Sequence, residues 1–170
     1  MRLHQINARY EAVQDRVLLR FSTQDAMEYQ LWLTRRIVAQ LWPGLVQLLQ
    51  AGGTVGGQPS IESQRALLEF QHQDALAKSD FSKPFAPDGL TQALPEPLLV
   101  FSVRMRRRDA KRCSLEFSPQ TGASLQIELP DRMVHALVKL IAQAVKKAEW
   151  GIAIPAEAPA VAAPAQRRLN

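Results

Sequence analysis

Six cations crowd one short stretch of this 170-residue chain: Arg104, Arg106, Arg107, Arg108, Lys111 and Arg112. Guanidinium groups donate paired hydrogen bonds to phosphate oxygens, and neutralised phosphates release their counterions. A cluster of this composition therefore suits contact with a nucleic-acid backbone. The simpler role for such a run is a solvated hairpin whose cations discourage strand edges from pairing with other chains. Trp32 is the second residue of interest. It shares a strand face with Glu28 and Gln30, and the preceding strand brings Arg16 and Arg20 near it. An outward aromatic among arginines has the composition of a platform on which unpaired bases stack. Glu28, Glu116 and Glu128 on the same face oppose that use, and a lone tryptophan also serves to cover an edge or anchor a dimer.

Catalytic chemistry finds no support. A nucleophile–base–carboxylate triad needs a locally supported histidine. His4 lies near the start, His72 in a predicted helix and His135 on a predicted polar helix face, none within a motif. Cys113 falls in the inward register of a strand, where a small buried thiol is the expectation. The glycine-rich run from Gly52 to Gly57 lacks the lysine of a phosphate loop, and no residue spacing suggests a metal or cofactor. The expected function is a non-enzymatic binding module, with single-stranded nucleic acid as the leading partner. The rival is a protein-interaction or scaffold component, including a homo-oligomer formed through the apolar helix over Ile37 to Leu49.

The bulk composition agrees with a soluble binder. Lys and Arg number 21 against 16 Asp and Glu, a net charge of +5 that permits attraction to anionic partners without identifying one. One cysteine cannot form an internal disulfide, which fits a reducing cytosol. No apolar run approaches the roughly 18 residues needed to span a bilayer, so the expected location is cytoplasmic, with no membrane contact.

The elements that would position these residues come from a pattern that occurs twice. LRFSTQDAMEYQLWLTRRIV begins at Leu19 and LEFSPQTGASLQIELPDRMV begins at Leu115, an ungapped offset of 96 residues. Identities fall at Leu19/Leu115, Phe21/Phe117, Ser22/Ser118, Gln24/Gln120, Gln30/Gln126, Leu33/Leu129, Arg36/Arg132 and Val38/Val134. Both windows change hydrophobic period from two to about 3.6 at the same point, which predicts strands followed by a helix. In the first copy, Ile6, Ala8 and Tyr10, then Val17, Leu19 and Phe21, then Met27, Tyr29, Leu31 and Leu33 face inward on three strands. Thr34 caps a helix that carries Pro43, where a kink or restart is expected. In the second copy, Leu99, Phe101, Val103 and Met105, then Cys113, Leu115 and Phe117, then Ala123, Leu125, Ile127 and Leu129 take the inward positions. A helix with Val134, Leu137, Val138, Ile141 and Val145 on one face closes the unit.

The prediction is an α+β fold of two tandem β-β-β-α repeats with pseudo-twofold symmetry. Each antiparallel sheet is covered on one face by its own helix, both helices lie on one side, and the sheets can join into one six-stranded platform. A unit of roughly 50 residues is near the lower limit for folding alone, so both copies are expected to share a core and residues 1–150 to form a single domain. Repeat one spans 2–50, a linker and an intervening helix span 51–97, and repeat two spans 98–150. An Ala/Pro-rich disordered tail occupies 151–170.

Overall fold

The computed structural model describes residues 3–50, 85, 89–109 and 111–152. The predicted linker over 51–59, the intervening helix within 60–78 and the tail beyond residue 152 lie outside the described residues. Among the described residues the fold is mixed α+β, with two sheets and two long helices.

The first sheet opens as a meander of β1 (Leu3–Glu11), β2 (Arg16–Thr23) and β3 (Met27–Leu33), antiparallel throughout. Its inner face carries Val17, Leu19, Phe21, Leu31 and Leu33, all fully buried, each side chain contributing roughly 1.5–3 kcal/mol by leaving water. The period of two then gives way to helix α1 (Arg35–Gln50). Thr34 caps it, its Oγ1 accepting from the Ile37 N–H at 3.3 Å. The helix runs through Pro43.

Two short strands, β4 (Thr91–Gln92) and β5 (Leu98–Leu99), return along β3 in parallel and extend this sheet. The sequence pattern did not predict β4, and it placed Leu98 and Leu99 of β5 in the first strand of the second unit. The chain then crosses to a second sheet of β6 (Ser102–Asp109), β7 (Arg112–Ser118) and β8 (Leu125–Pro130), again an antiparallel meander. Helix α2 (Asp131–Ala148) follows, with Pro130 at its N-cap and Lys146 and Lys147 in the last turn, where the helix dipole favours cations.

The two meanders share a register. Val17 pairs with Leu33 and Leu19 with Leu31, while Cys113 pairs with Leu129 and Leu115 with Ile127. These pairs stand 96 residues apart. The match slips by one in the hairpin before. Ile6 opposes Phe21, but Val103 opposes Phe117, and β6 is bulged between Arg107 and Asp109.

Four expectations are corrected. The sheets remain two and do not merge into a six-stranded platform, because the connecting strand changes sheets. The Val100 N–H donates to the Trp32 carbonyl at 3.0 Å, and the next N–H, from Phe101, donates to the Ser118 carbonyl at 2.8 Å. That switch also breaks the alternation. Val100 is buried, whereas Leu99 and Phe101, predicted inward, are 46% and 48% exposed.

Neither helix is simply the lid of its own sheet. α2 lies along β1 of the first sheet and α1 lies against β6 of the second, with the helices touching each other. A carbon added at Gly44 of α1 would stand 2.1 Å from the Met105 methyl of β6. Finally, His135 is buried and not on a polar face. The five consecutive residues Val134, His135, Ala136, Leu137 and Val138 are all buried, so α2 is enclosed on every side at this point.

The wide apolar stripe of α1 has the same explanation. Ile37, Val38, Leu41, Trp42, Leu45, Leu48 and Leu49 join the single core shared by both sheets and α2. That stripe is therefore occupied within the molecule and is not an open face for a second chain.

Candidate functional site

The basic hairpin is sorted by the pleat of β6. Successive side chains of a strand point to opposite sides. Val103 and Met105 pack against the core, and Arg104, Arg106 and Arg108 are exposed on the other side. Arg104 lies across from Glu116 and Arg106 across from Ser114. These residues, with Arg108 and Gln126, line a shallow open depression of about 90 Å³. Arg104 is 74% exposed and its Nη1 lies 3.9 Å from Glu116 Oε1, a loose pair that contributes little. Among the described residues, no carboxylate pairs with Arg106 or Arg108. The arrangement is a ladder of three guanidinium groups around one depression, able to donate to successive anionic oxygens.

Arg107, between two of those rungs, points the opposite way. Its Nη1 pairs with Asp131 at the start of α2, and its Nη2 donates to the Leu48 carbonyl near the end of α1 at 2.9 Å. One side chain thus ties β6 to both helices. Burial is the largest influence on the Asp131 carboxyl and raises its pKa, with the Arg107 guanidinium opposing that shift.

The turn beyond is organised by Asp109. Its carboxylate accepts from the Lys111 backbone N–H and from Arg112 Nε, both at 2.8 Å. Those bonds, that from Lys111 first, hold its pKa below the ordinary value. Arg112 is therefore neutralised at the tip, while the Lys111 side chain is exposed.

The residues predicted on the first sheet do not join this ladder. Arg20 is only 15% exposed, its Nε donates to Glu28 Oε1 at 2.6 Å, and its guanidinium lies 4.3 Å from the centre of the Phe85 ring. Gln30 donates to the same Glu28 oxygen at 3.0 Å. Arg20, Glu28 and Gln30 thus form a polar network on the outer face of this sheet, with Phe85 over Arg20, while the buried Ser22 Oγ beside them has no hydrogen-bond partner among the described residues. Arg16 is partly exposed opposite Glu11. Trp32 is half-buried, paired with Leu18 on one side and Leu99 on the other.

Cys113 is fully buried, and burial pushes its thiol up to about 11, so almost none of it is thiolate at neutral pH. Among the described residues, no group of three His, Cys, Asp or Glu side chains is placed to hold a metal. No helix of the described residues is long and apolar enough to cross a membrane.

Sequence reasoning missed the exposed Leu99 and Phe101 and the Arg36 beside them. A trace was present. Leu98, Leu99, Val100 and Phe101 form an unbroken apolar run that no alternating strand can bury on one face. The chain matches no protein-family model, no curated protein and no solved structure.

Proposed function

We propose that this chain is a non-enzymatic module that binds single-stranded nucleic acid along the outer side of β6. The observation that carries the reading is the exposed ladder of Arg104, Arg106 and Arg108, two of its three cations without a counter-charge among the described residues. Three guanidinium groups in a row along one strand match the repeating phosphates of an extended polyanion better than a single compact ligand. Lys111 extends the positive charge toward the tip. Arg107 and Arg20 are engaged in internal ion pairs and are left out of the site, as are Arg112, held by Asp109, and Arg16 and Trp32 on the other sheet.

We also read the two meander-plus-helix units as copies of one ancestral unit, related by a pseudo-twofold and diverged at the hairpin. The shared pairings across β2–β3 and β7–β8 support this, and the tips differ in charge. The first hairpin has Glu11 and Asp15 where the second has its arginines. A cytoplasmic setting fits the lone free Cys113.

The test is titration of a labelled single-stranded oligonucleotide by fluorescence anisotropy at several salt concentrations. Binding should weaken linearly on a log–log plot against salt. Replacing Arg104, Arg106 and Arg108 together by alanine should flatten the slope by about 2, since each single-strand phosphate contact contributes roughly 0.7. An unaltered slope in the triple variant, or no binding by the unmodified chain at low salt, contradicts the proposal.

A further inference from the structure

We infer that Glu116 reads the exocyclic amino groups of unpaired bases, so that a strand held by the arginine ladder is chosen for its base donors as well as its charge. The inference rests on the reading of β6 as a phosphate site and adds the step that discriminates among strands. The outer side of the second sheet is graded in charge. Leu115, Phe117, Ile127 and Leu129 enter the core, so their strand neighbours Ser114, Glu116, Gln126 and Glu128 take the opposite side, shared with Arg104 and Arg106. Arg104 pairs with Glu116 and Glu116 with Gln126, a row that runs from cation to carboxylate to amide across β6, β7 and β8. All three residues line the depression.

Glu116 brings unused acceptors to that row. Its side chain is 35% exposed, and its nearest cation, Arg104, stands 3.9 Å away, beyond hydrogen-bond range. Among the described residues, no donor reaches either carboxylate oxygen. An ion pair this loose contributes little to stability. A negative charge beside three arginines also weakens their hold on phosphate, so charge alone gives the site no use for it.

The part of the ligand that Glu116 meets follows from its chemistry. A carboxylate accepts hydrogen bonds and cannot donate them. It favours N–H groups and repels phosphate and carbonyl oxygens. A strand with its phosphates on the arginines of β6 and its bases directed across the sheet meets this carboxylate one strand, about 4.8 Å, further on. Cytosine offers its N4 amino group to such an acceptor, whereas thymine presents the O4 carbonyl at the same position.

The experiment compares labelled oligocytidine and oligothymidine DNA of equal length, binding to the full chain at low salt and neutral pH. The unmodified protein should bind the cytosine strand about fivefold more tightly, the scale of one net hydrogen bond. Glu116→Gln keeps the shape of the side chain and should bring that ratio close to one, because an amide accepts from the amino group and donates to the carbonyl alike. Glu128→Gln removes the same charge from the same side of the sheet but outside the depression, and should keep the preference. Equal affinity of the unmodified protein for the two strands overturns the inference and leaves the ladder standing. So does a preference that survives Glu116→Gln, or one lost equally in both variants. Failure of the unmodified chain to bind either strand would instead sink the phosphate reading beneath it.

Discussion

Replacing Arg107 with alanine removes a charge held between Asp131 and the Leu48 carbonyl, and leaves both acceptors facing a gap. A charged group lost from such a part-buried site should destabilise the chain by about 2 kcal/mol or more, measured by urea denaturation. Arg106→Ala, one residue away on the open side, should change stability by less than about 0.5 kcal/mol. Cys113 provides a second check at this scale. With its thiol pushed up to about 11 and its side chain buried, labelling by a thiol reagent at pH 8 should proceed only as fast as the protein opens. The opposite directions of Arg106 and Arg107 were implicit in the sequence, because three consecutive arginines on a strand cannot share one face. The exposure of Phe101 left only a trace, the unbroken apolar run from Leu98 to Phe101. It arises from a change of sheet between Val100 and Phe101, and a long-range pairing of that kind leaves no local period to read.

Between elements, α1 packs on β6 where Gly44 faces Met105. Gly44→Ala should be nearly neutral. The Met105 methyl ends a flexible side chain that can swing aside, and alanine improves helix propensity by about 1 kcal/mol. Gly44→Leu has no such relief and should lower stability by roughly 1–3 kcal/mol as the helix is forced off the strand. Both values can be read from thermal or urea unfolding. The long strands and both helices were legible because each carries a clear period over many residues. β4 and a separate β5 were not, since a two-residue strand has no period and their shape comes from β3 beside them. The packing of α1 on β6 and α2 on β1 was hidden for a related reason. An apolar stripe shows that a helix is covered, but not by which sheet.

Across the whole molecule, the end of α2 is fastened to the first hairpin. Asp15 Oδ1 accepts from Trp150 Nε1 and from the Tyr10 hydroxyl, both at 2.8 Å, and the Tyr10 and Trp150 rings meet edge to face. The bond from Trp150, then that from Tyr10, holds the Asp15 carboxyl below its ordinary range. A depressed carboxyl stabilises the fold above its unfolded pKa of about 4, and that contribution fades as pH falls through the lower folded value. The Trp150 indole N–H resonance should therefore shift on acidification below about pH 4. Asp15→Asn, which tolerates the left-handed backbone found there (φ 46°), should abolish that dependence.

The proposed function rests on the outward ladder of β6, and the proposal can be checked residue by residue. Titrating a single-stranded oligonucleotide into isotopically labelled protein at low salt should move the backbone amide resonances of Arg104, Arg106 and Arg108, with those of Ser114, Glu116 and Gln126 across the same depression. Shifts centred instead on Arg20, Glu28 and Gln30 of the first sheet, or no shifts at all, would contradict the account.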